Sequence, residues 1–140
     1  MPRRPISASN AVVNAAEQVA AMYRVRYYRM NTRTFTVVGA GGRERPMFMG
    51  AWHNGDGIEY RKGMADLLLT PRIRAWPSVT TPEFIAVPLW CECKSGTGRL
   101  SKEQILFRDD VIDAGSFYLQ LNDAADELLR WFEEHGVRRQ

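Results

Sequence analysis

The amino-acid sequence predicts an α/β domain in which a central mixed β-sheet is flanked by helices. Apolar residues recur at helical spacing near the start of the chain and twice near its end, whereas alternating patterns and short apolar runs occupy the middle. A length of 140 residues, 45% of them apolar, is typical of a single domain with one core. The expected order is helix, several strands, helix, strand, helix, within one domain over residues 1–140.

The first third of the chain begins with a short basic segment and a helix. Residues 1–8 are predicted to be a flexible basic tail, and the capping residues Ser9 and Asn10 introduce a helix over Ala11–Arg24. The patterns that follow predict strands over residues 25–30, 34–38, 47–52 and 58–60. The last two strands flank an Asn-Gly-Asp-Gly stretch at 54–57, whose residues tolerate positive φ and favour a hairpin turn.

Two apolar strands that carry charged residues are predicted for the middle of the chain. Met64–Leu69 is apolar except for Asp66 and predicts a central strand. Phe84–Lys94 predicts a second strand, with Pro88 at a bulge or near an edge because proline cannot donate to a ladder. Between them, Thr70–Glu83 holds three prolines without a clear period, which predicts a long loop.

The last third predicts a helix, a strand and a second helix. Ser101 caps a helix that extends to about Ala114, and alternation over Phe117–Leu121 predicts a strand. Asn122 is then expected to cap a final helix that ends near His135.

Charge is distributed unevenly along the chain. Residues 1–45 carry eight arginines against two glutamates, a net charge of +6, so the remainder carries −3. A basic face attracts a polyanion because binding releases the polyanion's counterions, which makes nucleic acid a candidate partner. A solvated surface explains the charge alone equally well.

The cysteines and the hydropathy pattern indicate a cellular setting. No apolar run approaches the length of a membrane span, and the first residues lack the apolar stretch of a signal peptide. Cys91 and Cys93 are two apart in a predicted strand, where a disulfide would be strained, so free thiols in a reducing, cytoplasmic setting are expected. Neither histidine stands at a zinc-finger spacing from them, and no zinc site is expected.

Three charged residues of the two apolar strands form a candidate catalytic group. Glu92 and Lys94 are two apart, so their side chains project from the same face of one strand. If the strand that carries Asp66 pairs with it, two carboxylates and one ammonium group converge. Two carboxylates at short range repel each other, and a divalent cation such as Mg²⁺ removes that penalty. The backbone carbonyl of Cys93 is a further candidate ligand.

Four motifs follow one another from the centre of the chain toward its end. They are GMADLL at 63–68, ECK at 92–94, GTGRLSKEQ at 96–104, and AG at 114–115 before a strand. In this order they resemble the VRR-NUC branch of the PD-(D/E)xK nucleases, and the resemblance extends from the first helix to the last. The chain departs from the motif at Ala65, where the family name has proline. Proline there shapes the backbone and binds no metal.

The resemblance implies a restriction-endonuclease-like core and hydrolysis of DNA phosphodiester bonds that depends on Mg²⁺ or Mn²⁺. It implies that Asp66 and Glu92 bind the metal and that Lys94 is the catalytic lysine. Gln104 is then a further active-site residue, and Glu17 of the first helix completes the metal site. Stand-alone members are often phage-borne, are similar to Holliday-junction resolvases and act as homodimers on branched DNA. A phage-encoded protein would work in the cytoplasm of a bacterial host.

Each candidate residue also has an ordinary structural explanation, and for Lys94 it is a side chain that extends from a strand end to reach solvent. Asp66 and Glu92 would be surface or salt-bridged acids, and Gln104 stands three residues after Ser101, the spacing of a capping box. Glu17 is equally natural as a solvated acid or as a partner of Arg24.

The loop between the two acids contains further candidates for nucleic-acid binding. Arg72, Arg74 and Trp76 combine basic and aromatic side chains, which grip a backbone and stack on a base, and Arg99 is added to this set. An ordinary surface loop explains them equally well. The alternative function is a non-catalytic DNA-binding module on the same scaffold, and a structural or interaction domain comes after it.

Overall fold

The computed structural model describes residues 8–30, 34–48, 51–53, 58–60, 63–74, 83–122 and 124–139. These residues form a mixed α/β structure with a mixed sheet and three helices. The helices are α1 (Ala8–Met22), α2 (Lys102–Asp113) and α3 (Asp126–Glu134). The strands are β1 (Tyr27–Arg29), β2 (Thr34–Val38), β3 (Glu44–Phe48), β4 (Ala51–His53), β5 (Ile58–Tyr60), β6 (Leu67–Leu69), β7 (Arg72–Arg74), β8 (Phe84–Ala86), β9 (Leu89–Lys94) and β10 (Phe117–Asn122).

The main sheet has four strands in the order β1-β6-β9-β10. β1 and β6 pair antiparallel, as do β6 and β9, whereas β9 and β10 run parallel. The register pairs Leu67 with Cys91, so the residue before β6 lies opposite Glu92 of β9. The other strands form the two-stranded pairs β2-β3, β4-β5 and β7-β8.

Helices cover both faces of the main sheet. One apolar cluster joins buried residues of α1 and α3 to side chains of one sheet face, among them Leu67, Cys91 and Cys93. A second, smaller cluster on the other face contains Trp90 and Phe107 of α2, whose rings meet edge to face. The period of two along β9 therefore separates its cysteines from Trp90 and Glu92, as predicted.

Several element boundaries differ from the sequence prediction. The first helix begins at Ala8, so the last residue of the predicted tail is helical, and residues 1–7 lie outside the described residues. The predicted strand over 47–52 is replaced by the separate strands β3 and β4. β4 and β5 pair antiparallel as the hairpin prediction requires, while the turn at 54–57 lies outside the described residues.

The prediction of one strand over Phe84–Lys94 was wrong, because the strand is divided before Leu89. Pro88 cannot donate to a ladder, and the N–H of Val87 is bound to the carbonyl of Pro71. β8 consequently pairs with β7, and only β9 enters the main sheet. The predicted loop after Thr70 is also partly wrong, since its first residues form β7.

The helix boundaries show one success and one error of the sequence analysis. Ser101 caps α2, and Gly115 follows its end with a φ of 87°. Asn122, by contrast, is the last residue of β10, and the N-cap of α3 is Ala125 with a left-handed φ of 58° and no side-chain hydrogen bond. In the described part of the chain, no helix is both long and apolar enough to cross a membrane.

Candidate active site

Asp66 stands directly before β6 and is held against the end of β9. Its Oδ2 atom accepts a hydrogen bond of 2.8 Å from the backbone N–H of Cys93. The carbonyl of Asp66 accepts from the N–H of Met30, which continues the pairing between β1 and β6. The strand prediction placed Asp66 inside a strand, but its position at the strand start gives the same alignment with Glu92.

Glu92 is a buried charged residue, with 3% of its surface exposed. Its Oε1 atom accepts a hydrogen bond of 2.7 Å from Nε2 of Gln104 and lies 3.5 Å from Nζ of Lys94. Its Oε2 atom is buried without a hydrogen-bond partner among the described residues. A buried carboxylate oxygen in this state is costly unless a proton or a cation binds it.

Lys94 ends β9 at the rim of the site. Its side chain is 22% exposed, against 4% for Glu92, so its ammonium group connects the buried acid with solvent. The turn that follows packs on it, because the N–H of Gly98 donates to the carbonyl of Ser95 and a Cβ at Gly98 would meet Lys94 Cβ at 3.2 Å. Arg99 follows this turn and is exposed.

Gln104 forms the capping box and also contacts Glu92. Ser101 and Gln104 form a capping box, in which Gln104 Oε1 accepts from the Ser101 N–H at 2.8 Å and Ser101 Oγ accepts from the Gln104 N–H at 3.2 Å. The amide Nε2 remains free to donate to Glu92. Both contacts require the same amide orientation, since a backbone N–H needs an acceptor and a carboxylate needs a donor. The start of α2 therefore fixes the Glu92 carboxylate.

The two acids perturb each other electrostatically. Burial raises the pKa of Glu92 to about 8, and the negative charge of Asp66 adds to the rise while Lys94 opposes it. Burial also raises the pKa of Asp66, against the hydrogen bond from Cys93 and the positive charge of Lys94. Asp66, Glu92 and Lys94 therefore lie close enough for their charges to shift the pKa values of the two acids, as expected from the sequence if the two strands pair.

Glu17 pairs with Arg29 of β1 and not with Arg24. The Nε atom of Arg29 donates to Glu17 Oε1 at 2.7 Å, and its NH2 group donates to Asn14 at 3.2 Å. This hydrogen bond to Glu17 raises the pKa of Arg29, and the charge of Asp66 contributes to the rise. The Glu17–Arg29 pair consequently lies at the same end of the sheet as Asp66, with the Glu17 carboxylate occupied by a guanidinium group.

The sequence analysis missed two residues of the neighbouring strand. Gln120 pairs with Glu92 and Tyr118 with Trp90 in the β9-β10 register, so both project from the face that carries Glu92. Gln120 Nε2 donates to the carbonyl of Gly98 at 3.2 Å, which ties the turn after Lys94 to the sheet. Their alternation along β10 was visible in the sequence, but the parallel pairing with β9 was not.

Tyr118 supplies a second buried polar atom beside Glu92. Its hydroxyl is buried and makes no hydrogen bond within the described residues. Burial, and after it the charge of Glu92, raises the pKa of the Tyr118 phenol. The wall of the site under α2 therefore contains two polar atoms, Glu92 Oε2 and Tyr118 Oη, that the described residues leave unsatisfied.

The residues predicted to bind nucleic acid do not form one group. Arg72 and Arg74 are exposed on β7, which follows the end of β6 that is distant from Asp66. Trp76 lies outside the described residues. Arg99 comes after the turn that follows β9, at the strand end that carries Lys94.

The donor atoms of the site fit a small divalent cation. Asp66 and Glu92 offer carboxylate oxygens, which are the ligands that Mg²⁺ and Mn²⁺ prefer, and Glu92 Oε2 has an unused lone pair. The described residues contain no group of three or more His, Cys, Asp or Glu side chains able to hold a metal ion. Cys91 and Cys93 are free and buried, as predicted.

Comparisons of the chain with family models, with curated proteins and with solved structures found no match in any of the three.

Proposed function

We propose that the protein is a divalent-metal-dependent endonuclease that hydrolyses phosphodiester bonds of DNA, with a VRR-NUC-like, restriction-endonuclease-like core. The observation that carries the proposal is the meeting of Asp66 and Glu92 at one end of the sheet, with the Lys94 ammonium group 3.5 Å from Glu92. A structural role alone leaves the unsatisfied Glu92 Oε2 atom unexplained.

Asp66 and Glu92 would hold Mg²⁺ or Mn²⁺, with the backbone carbonyl of Cys93 as a further ligand. When bound, the metal lowers the pKa of a water ligand and neutralises charge that develops on the phosphate. Glu17 is a weaker candidate ligand, because Arg29 already occupies its carboxylate.

The chain's own residues would orient the reacting groups. Lys94 lies at the rim, where its ammonium group would contact a non-bridging phosphate oxygen or hold the attacking water. Gln104 holds Glu92 through a hydrogen bond to Oε1, which leaves Oε2 as the oxygen atom for the metal. Arg99, exposed shortly after Lys94 in the chain, would bind a neighbouring phosphate.

Branched DNA, such as a Holliday junction or a flap, is the proposed preferred substrate, and a phage origin, action in the bacterial cytoplasm and a homodimer are proposed with it. All of these rest on the motif resemblance. A non-catalytic DNA-binding module is the second candidate, favoured by the exposed arginines of β1 and β7.

The proposal is tested by incubating the protein with labelled junction, flap, duplex and single-stranded DNA, with Mg²⁺, with Mn²⁺ and with EDTA. Cleavage is expected with either metal and none with EDTA. Asp66→Asn, Glu92→Gln and Lys94→Met should each lower the cleavage rate by at least about 10²-fold, the usual cost of removing a group that stabilises the transition state.

Asp109→Asn is the matched control, because Asp109 is an exposed acid of α2 that pairs with Arg108. Its cleavage rate should equal that of the wild type. Cleavage that persists in EDTA or in the Asp66→Asn protein would refute the nuclease proposal, and tight binding without cleavage in either metal would favour the binding module.

A further inference from the structure

A cavity of about 550 Å³ lies between the end of α1, β7, β8 and the last described residues of the chain. Four of its lining residues are arginines, namely Arg24, Arg26, Arg72 and Arg138. No aspartate or glutamate is among the described residues that line it. The volume lies within the range of small-ligand sites.

The cavity is at the opposite end of the main sheet from the carboxylates. Asp66 precedes β6, whereas Thr70, which lines the cavity, follows it. The N–H of Thr70 donates to the carbonyl of Arg26 at 3.0 Å, so the β1-β6 ladder continues to the cavity. One edge strand, β1, therefore connects the two sites.

The cavity carries positive charge that the described residues do not neutralise. Arg24, Arg26 and Arg72 form no ion pair with a carboxylate in the described ranges, and Arg138 instead stacks over the ring of Phe84 at 5.3 Å. Four arginines that line one space concentrate positive charge there, which attracts an anion. Arginine is the side chain best suited to phosphate, which it binds through two parallel hydrogen bonds.

The face of β1 between the two sites is aromatic and accessible. Tyr28 pairs with Leu68, which in turn pairs with Trp90, so Tyr28 projects from the sheet face that carries Glu92. Arg26 lies two residues before Tyr28 and shares this face. Tyr28 is 53% exposed although it is a large ring on a short strand.

The length of β1 matches a few nucleotides. From Arg26 to Arg29 an extended chain spans about 10 Å. A base-stacked strand advances about 3.4 Å per phosphate and an unstacked strand advances further, so at most roughly three nucleotides would cover this distance. A mononucleotide would fill the cavity but would leave Tyr28 and the face of β1 uncovered.

We propose that the four-arginine cavity grips backbone phosphates of a nucleic-acid strand that crosses the face of β1 from the carboxylate site, with Tyr28 stacking on an unpaired base. This inference deepens the proposed function and rests on it for the chemical class of the ligand. The binding would require a single-stranded stretch, because only an unpaired base exposes its face to a tyrosine ring.

The test is fluorescence anisotropy with a labelled thymidine oligonucleotide in EDTA, where binding is measured without cleavage, over a series of salt concentrations. For the double variant Arg26→Ala and Arg72→Ala, the slope of log K against log salt should become shallower by about 1.4, or ~0.7 per lost phosphate contact. Arg130→Ala, at an exposed arginine of α3, is the matched control and should keep the wild-type slope. Tyr28→Ala should weaken binding about 5- to 150-fold, whereas Tyr28→Phe should not.

Equal slopes for the wild type, the Arg26 and Arg72 double variant and the Arg130 variant would overturn the inference. So would displacement of the oligonucleotide by thymidine monophosphate at comparable concentration, which would make the cavity a nucleotide site. Thermal melting checks folding, and if the double alanine variant is unfolded, Arg26→Gln with Arg72→Gln gives the same readout.

The same proteins separate this inference from the proposed function. Loss of binding in the cavity variants, combined with a wild type that cuts no DNA in any metal, would contradict the nuclease proposal and support the cavity. Cleavage by the wild type with unchanged binding and cleavage in the cavity variants would contradict the cavity and support the nuclease proposal.

Discussion

Glu92 combines burial, a neighbouring acid and an unsatisfied oxygen atom. With 3% of its surface exposed, it keeps its charge only at a cost, which is why its pKa rises to about 8 from an ordinary value of 4.5. In the metal-free protein this carboxyl group is therefore mostly protonated at neutral pH, and a cation would have to displace that proton.

The raised pKa of Glu92 predicts a pH-dependent stability. Between pH 4.5 and about 8, the unfolded chain has lost the Glu92 proton while the folded protein retains it. The unfolded state then binds fewer protons, so the stabilisation present below pH 4.5 is lost as pH rises toward 8. Glu92→Gln in EDTA should consequently raise the free energy of unfolding at pH 8 by more than about 1.4 kcal/mol, the equivalent of one pKa unit.

Urea denaturation at pH 5 and pH 8 measures this difference. At pH 5 the Glu92→Gln substitution should change the free energy of unfolding little, because the Glu92 carboxyl group of the folded wild type is already neutral. Glu133→Gln, at an exposed glutamate of α3, is the control and should have no effect at either pH. A Glu92→Gln protein that is equally destabilised at both pH values would contradict the account.

Residue patterns predicted part of this site. The spacing of Glu92 and Lys94 on one strand face, and the interruption of apolar runs by Asp66 and Glu92, follow from the period of a strand and the cost of buried charge. The pairing of Glu17 with Arg29 did not follow, since it joins a helix to a strand twelve residues away. Helix periodicity offered Arg24 as the partner, with a solvated acid as an equal alternative.

At the scale of elements, the approach to β6 is packed tightly against α2. Gly63 has a φ of 78°, and a Cβ on it would come within 2.3 to 2.5 Å of backbone atoms of Glu103 and Gln104. The segment that delivers Asp66 therefore contacts the helical turn that delivers Gln104. This contact explains why a glycine begins the motif at 63–68.

Gly63→Ala should destabilise the protein by more than about 2 kcal/mol. The left-handed conformation costs an L-residue about 1–2 kcal/mol, and the clash with the backbone of α2 adds an overpacking cost of about 1–3 kcal/mol. Chemical denaturation checks the value.

Gly115→Ala separates the two costs. Gly115 has a φ of 87° but open space around its Cβ position, so its substitution should cost only the conformational share. Equal destabilisation by the two substitutions would show that the approach of Gly63 to α2 is not tight.

Local signals predicted the elements better than their ends. The capping box of α2 and the alternation of β10 were sufficient because both depend on residues close in sequence. The division before Leu89 was underestimated, since it depends on the hydrogen bond between Val87 and Pro71, which flank the paired strands β8 and β7 and are distant in sequence. Asn122 is a residue type that often caps helices, but it pairs with Lys94 and is therefore the last residue of β10.

At the scale of the whole molecule, the main sheet has a different kind of charge at each end. Acids and one lysine meet at the Asp66 end, and arginines surround the cavity at the other. Composition showed that the first third of the chain is basic, but Arg72 and Arg138 from later segments also line the cavity. The sequence analysis could not bring these arginines together, because their proximity depends on long-range strand pairing.

The fold class was predictable because it depends on local sequence patterns, whereas the cavity depends on long-range strand pairing. Element type and order depend on periodicity. The structure confirmed the mixed α/β class with a mixed sheet that this periodicity predicted. The strand order β1-β6-β9-β10 depends on which apolar strands pair, and several antiparallel and parallel arrangements satisfy the same pattern.

In the proposed metal site, Asp66 and Glu92 would bind one divalent cation between them. The most direct measurement is anomalous diffraction from crystals of the wild-type and Glu92→Gln proteins soaked in Mn²⁺ above the titration range of Glu92. The account predicts an anomalous peak within ligand distance of both carboxylates in the wild type, and loss of that peak in the variant. Ordered Asp66 and Glu92 side chains in the wild type with no anomalous peak between them would contradict it.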